Sequence, residues 1–278
     1  MSSKTAAGPV TGIRFAFGTL TVLPTRVTRW DREAARAGML CAPVAGLVVG
    51  LLGAAAGALL LLAGAGPLLA AVATAAVPAV LTRGLHLDGL ADTADGLGSG
   101  KPAPEALRIM KQSDIGPFGV ITLVFTLLAQ IAALAELYGG NGREGGDWAR
   151  GAGAAVLAGV VARLALTLAS RGGVPAARPE GLGAAVAATV PGRAAATAVL
   201  LVLTAAAGVG AGTAALVGTP ADPLGRAVAA VAAASVALLV AEFLLRRCVR
   251  RFGGVTGDVF GAVEETAATA ALVALATL

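Results

Sequence analysis

The sequence predicts an all-α fold: a polytopic integral membrane bundle of about seven transmembrane helices (range six to eight), with the N-terminus in the cytoplasm. Three observations predict it. Of the 278 residues, 57% are hydrophobic and only 13% charged, where a soluble domain carries about a quarter charged residues. The apolar residues fall in runs near the ~20 needed to cross a bilayer as a helix. The basic residues are shared very unequally between alternate connecting segments.

The elements follow in order. Residues 1–37 hold Lys4, Arg14, Arg26, Arg29, Arg32 and Arg36 without a long apolar stretch, a cytoplasmic segment rather than a cleavable leader. Apolar runs then occupy 38–63, 67–82, 117–138, 151–170, 194–217, 227–245 and 261–278. The first contains Gly46-x3-Gly50 and Gly53-x3-Gly57, spacings that permit close helix packing. The runs at 67–82 and 261–278 are the weakest spans. The whole of 1–278 reads as one membrane domain, with 83–116 as an Asp-rich cytoplasmic region.

Orientation comes from the positive-inside rule. With the N-terminus inside, segments 1–37, 83–116, 171–193 and 246–260 hold seventeen of the 21 Lys and Arg, and only Arg143, Arg150 and Arg226 lie outside. The remaining one, Arg163, sits within a span, where a charge is costly unless paired or functional. Membrane topology thus accounts for the net charge of +5, and nucleic acid is not expected as a partner. Cys41 and Cys248 lie far apart and fit no metal or redox spacing.

Function is concentrated in GLHLDGLADTADGLG, residues 84–98. Asp88, Asp92 and Asp95 stand at i, i+4 and i+7, so on a helix they share a face. Three carboxylates this close repel unless a cation neutralises them, and oxygen ligands without Cys or His partners point to Mg2+ or Mn2+. Asp258 and Glu265, at i and i+7, form a second acidic face, from which Glu264 points away. The glycine-rich run before Asp258 favours anions at a helix start, while capping by Thr256 or Asp258 explains it as well. Arg178 suits a phosphate clamp, with Glu180 orienting it. His86 is the one histidine, either a general base or a group that orients a ligand. The arginines 246, 247, 250 and 251 read as a membrane-surface anchor. Carboxylates, a hard cation and arginine at one face describe phosphoryl-group transfer on a phosphate ester.

The Asp run, MKQSDIGPFG (110–119), ARPEGLG (177–183) and GGVTGDVFGAVEE (253–265) together resemble the cobalamin 5′-phosphate synthases, also called adenosylcobinamide-GDP ribazoletransferases. FGTLTVLPT (17–25) resembles that family's opening segment. The resemblance implies a multi-pass enzyme of the inner (plasma) membrane with its active site facing the cytoplasm. It joins adenosylcobinamide-GDP to α-ribazole or α-ribazole 5′-phosphate, releasing GMP and requiring Mg2+, at the end of vitamin B12 coenzyme assembly. Asp88, Asp92 and Asp95 then hold Mg2+ on the diphosphate. Asp258 and Glu265 complete the metal site or handle the nucleophile's proton, with Asp92, Asp95 and His86 also counted as catalytic. Arg178 binds phosphate, and Ser113, Gly116 and Gly119 shape the substrate pocket. The family often has an acid where this chain has Gln112; either Asp114, on the other side of Ser113, substitutes for it, or that acid is not a ligand. Besides the lipid bilayer, expected partners are a second copy of the chain or other cobalamin-assembly enzymes. Two other readings compete. A CDP-alcohol phosphatidyltransferase would show D-G-x2-A-R, whereas Asp88-Gly89 is followed by Leu90-Ala91-Asp92. A cation-coupled transporter would place its acids near mid-membrane, whereas here they are expected at the span ends.

Overall fold

Away from water an apolar run folds as a helix, because a helix satisfies its own N–H and C=O groups. Each expected run does so in the computed structural model, which describes residues 7–140, 148–216 and 222–278. The helices are α1 (Pro9–Leu20), α2 (Arg32–Leu62), α3 (Pro67–Leu81), α4 (Leu85–Gly98), α5 (Ala103–Ile109), α6 (Pro117–Gly139), α7 (Trp148–Ala169), α8 (Leu182–Val186), α9 (Gly192–Leu216), α10 (Pro223–Phe252) and α11 (Gly257–Thr277). Six of them, α2, α6, α7, α9, α10 and α11, are long and apolar enough to cross a bilayer, and α3 with α4 makes one further apolar unit bent by 87°.

The bend organises the site. α3 has 15 residues, about 22 Å of helix, so the run expected at 67–82 is too short to cross the ~30 Å hydrocarbon core alone. Pro67 abuts Gly139 at the end of α6, and the Leu81 carbonyl accepts the Val22 N–H just after α1 at 2.7 Å. Arg83 and Gly84 then take positive φ values of 54° and 71°, the left-handed region that ends a helix. The chain turns, and α4 lies across the end of the bundle instead of along a membrane span.

Small residues set the packing. Gly46 and Gly50 of α2 press against the backbone of α7 at Gly159 and Ala155, whereas Gly53 and Gly57 face Thr74 of α3. The two expected packing motifs of one helix therefore serve two different neighbours. α7 and α11 are the most enclosed spans, and they form the axis of the bundle.

At about 1.5 Å per residue, α2 (31 residues) and α10 (30 residues) exceed the ~30 Å hydrocarbon core. The N-terminal turns of α2 and the C-terminal turns of α10 project at the same end. There α1 packs on α2 through Gly12 against Ala37 and Gly38 against Phe15. The 170–191 segment meets the α10–α11 connection, where Ala177 N–H donates to the Val255 carbonyl at 2.9 Å. All four segments read as basic and cytoplasmic thus gather at one end, while Arg150 donates to the Leu275 carbonyl at the other. Lys4 and Arg143 lie outside the described residues.

Candidate active site

The helix α4 forms because its leucines and alanines alternate with acids at helical spacing, and α11 is capped by Thr256, whose hydroxyl accepts the Val259 N–H at 3.3 Å. The two helices cross where neither carries a side chain. A Cβ on Gly89 would stand 2.7 Å from the Asp258 carbonyl oxygen, and one on Gly261 would stand 2.9 Å from the His86 carbonyl oxygen. This crossing brings the α4 aspartates beside Asp258 although some 165 residues separate them. Asp88 is exposed and Asp92 half-buried. Burial, then the charges of Asp258, Asp88 and Asp95, push the Asp92 pKa up to about 7, against the pull of Arg178. Arg178 and Lys111 supply the positive charge that faces Asp258. Lys111 lies within a run that the sequence singles out, but only its place in the fold marks it as part of this cluster.

Asp95 has a different setting. It is 7% exposed, and its two carboxylate oxygens accept the N–H groups of Gly116 at 2.8 Å and Gly119 at 3.0 Å. Gly116 and Gly119 are therefore donors that tie the start of α6 to α4, where the sequence predicts pocket-shaping residues. Ser113 and Asp114 are exposed on the loop before α6. Arg178 donates to the Leu107 carbonyl of α5. Glu180 is exposed, and among the described residues no ion pair joins it to Arg178; the Leu107 carbonyl does the orienting expected of Glu180.

A second polar group lies deeper. Arg163 of α7 pairs with Glu264 of α11, and both are about 2% exposed. The His86 ring reaches this pair, with Nδ1 3.7 Å from Glu264 and 3.5 Å from Arg163. Burial, reinforced by Arg163, holds the His86 pKa well below 6.5. Gln130 of α6 donates to Glu265 at 2.9 Å and to Thr269 at 3.0 Å. The shared face expected for Asp258 and Glu265 is thus split by depth. Seven residues carry Glu265 about 10 Å along the axis, into a core cavity of about 60 Å³ bordered by Arg163, Glu264 and Gln130. The acids do not all stand at span ends, and His86 turns inward, away from Asp92. Glu264, which helical geometry set aside, is the partner of Arg163. Gln130 was legible as a lone amide in an apolar run, a residue type that bridges helices in membranes.

Two cavities open beside the aspartates. One of about 130 Å³ has Asp88 and Asp258 on its wall. A wider cleft of about 720 Å³ lies between Gly18–Val22, at and just beyond the end of α1, and the Thr82–Leu85 bend, and shares Leu20, Leu85 and Asp88 with the first. Among the described residues no group of three or more His, Cys, Asp or Glu is gathered so as to hold a metal ion by itself. The oxygen donors of Asp88, Asp92 and Asp258 suit a hard cation that keeps water or phosphate oxygens in its shell.

Comparison with known proteins follows this geometry. A model of the cobalamin-5-phosphate synthase family matches residues 12–276. An adenosylcobinamide-GDP ribazoletransferase of Frankia casuarinae is 42% identical over 95% of this chain and 93% of its own. Proteins of that name from a Nocardioides species and Bradyrhizobium diazoefficiens are 40% and 36% identical, each over 95% of this chain and over 97% and 92% of their own. No solved structure matches. With a family match across nearly all its length, on a membrane bundle whose family motifs meet at one end, this chain belongs to the cobalamin-5-phosphate synthases.

Proposed function

We propose that the chain joins adenosylcobinamide-GDP to α-ribazole or its 5′-phosphate and releases GMP, in a Mg2+-dependent reaction at the cytoplasmic face of the inner membrane. The observation that carries this reading is the cluster of Asp88, Asp92 and Asp258 facing Arg178 at one end of the bundle. The relatives' name supplies the two substrates, and the positive-inside bias supplies the side.

The chemistry suits these residues. An unrelieved cluster of carboxylates repels a diphosphate, and the same crowding raises Asp92. A bound Mg2+ would be held by Asp88, Asp92 and Asp258, and would supply charge neutralisation on the phosphate oxygens. Arg178, kept in place by the Leu107 carbonyl, binds the phosphate and stabilises charge as it develops. The ribose 3′-hydroxyl of the acceptor attacks the phosphorus that stays on the cobinamide and gives its proton to a carboxylate of this cluster. The bond from that phosphorus to the bridging oxygen breaks, and GMP leaves. Asp95 acts by fixing α4 against the start of α6, and Glu264, Glu265 and His86 act by holding α4, α7 and α11 in register. Ser113 and Asp114, exposed on the loop before α6, border the approach to the cluster.

Purified protein incubated with adenosylcobinamide-GDP, α-ribazole and Mg2+ is expected to release GMP in step with formation of the joined product. Absence of GMP with both α-ribazole and its 5′-phosphate would overturn the reading.

A further inference from the structure

Of the two cavities that meet at Asp88, the smaller has an unusual wall. Leu20, Met39, Leu166, Leu182, Val186 and Phe260 line it, drawn from α1, α2, α7, α8 and α11. Its polar edge is formed by Asp88 and Asp258, the carboxylates of the proposed site. An apolar cavity of about 150 Å³ is of the size that accepts a single benzene ring, and this one measures about 130 Å³. It also continues, past Leu20, Leu85 and Asp88, into the cleft of about 720 Å³. One ring of a flat, uncharged aromatic system fits inside, with the rest of the system and a polar substituent emerging toward the carboxylates and the cleft.

We propose that this pocket holds the aromatic base of the acceptor nucleoside, so that its ribose emerges between Asp88 and Asp258, while the wide cleft takes the bulky donor. The assignment rests on the ribazole-transfer reading above. It follows from the complementarity of each cavity: an uncharged aromatic base favours the apolar wall, and its sugar hydroxyls need the acidic edge. The donor is far too large for the smaller cavity. A lipid acyl chain would find the apolar wall but has no use for two carboxylates at its mouth.

Gly257 offers a way to test this. It lines the pocket, and a Cβ built on it meets nothing within 4 Å, so a side chain there projects into open space. Gly257 is exposed at the edge of the pocket, so the series Gly257→Ala, Gly257→Val and Gly257→Leu should add bulk at its mouth stepwise. The expected result is a KM for α-ribazole that rises at each step, by tenfold or more at leucine, with the KM for adenosylcobinamide-GDP unchanged. An acceptor nucleoside with a smaller aromatic base should lose less affinity in the alanine and valine variants. Leu182→Ala enlarges the pocket from its other wall, and should weaken discrimination between the two acceptors without altering the donor KM. Equal KM values for α-ribazole across the Gly257 series, in active enzyme, would overturn the pocket assignment. So would parallel rises in both KM values, or discrimination between acceptors that Leu182→Ala leaves intact. Wild-type protein that releases no GMP with either acceptor refutes the transferase reading instead, so the two failures are distinct.

Discussion

Residues of one chemical type are given different surroundings here by burial and by what faces them. Asp88, Asp92 and Asp95 follow one another on α4, yet their exposure falls along the series from open to half-buried to enclosed. The last is satisfied by two backbone N–H groups, while Asp92 is crowded by like charges. Their amides should therefore behave differently. Asp92→Asn removes a charge that the fold disfavours, since a carboxylate pKa raised by burial and by neighbouring carboxylates means that folding favours the protonated form over the ionised one. It should leave the thermal midpoint in detergent undiminished while lowering GMP release by about a hundredfold or more. Asp258→Asn should lower GMP release similarly. Asp95→Asn turns an amide N–H toward one of two N–H donors, at a cost of about 1–3 kcal/mol, so its Tm should fall together with its activity. Near-wild-type turnover of Asp92→Asn at limiting Mg2+ would refute the role given to that carboxylate. The helical spacing of these acids was visible in the sequence. Which of them the start of α6 would occupy was not, because that depends on a helix beginning 22 residues after Asp95.

At the level of elements, two joints hold the site together. The α4–α11 crossing needs Gly89, since a Cβ there would fall 2.7 Å from the Asp258 carbonyl oxygen and 3.0 Å from its Cα. Backbone cannot give way as a flexible side chain does. Gly89→Ala should separate the helices, cost about 1–3 kcal/mol, and reduce GMP release while the protein still inserts. A melting curve and an assay on one preparation check both effects; a wild-type value in each would show that the crossing tolerates a methyl group. The α7–α11 joint is the buried Arg163–Glu264 pair. Removing one partner strands the other, and Glu264→Gln should destabilise by about 3–5 kcal/mol. The double variant Arg163→Met with Glu264→Leu should recover much of that loss, read as the Tm of each protein. A double variant no more stable than Glu264→Gln would mean that the pair contributes something apolar packing cannot replace. Arg163 announced itself as a charge inside an apolar run. Its partner did not, because position on a helical wheel says which way Glu264 faces but not which helix lies there.

For the whole molecule, the basic segments and the motif-bearing loops share one end of the bundle, and we propose from the positive-inside rule that this end faces the cytoplasm. Labelling tests the placement. In a background with Cys41→Ser and Cys248→Ala, Lys101→Cys should react only with reagents that reach the cytoplasmic face. Ala63→Cys, in the connection between α2 and α3 at the opposite end, should react only from outside. Reaction of both from the same side would mean that α2 and α3 do not bring the chain across as described.

The sequence by itself determined the membrane bundle, the positions of its spans and the family, because these follow from hydrophobic runs, charge bias and contiguous motifs, all local along the chain. It also singled out Asp88, Asp92, Asp258 and Arg178 as candidates by residue type and spacing, and the fold brings these four together. Only the tertiary structure separated this surface cluster from the enclosed group of His86, Arg163, Gln130, Glu264 and Glu265. The physical reason is depth: two acids on one helical face at i and i+7 differ by two turns along the membrane normal. One of them borders the smaller cavity at the end of the bundle, and the other meets the amide of Gln130 on a neighbouring helix.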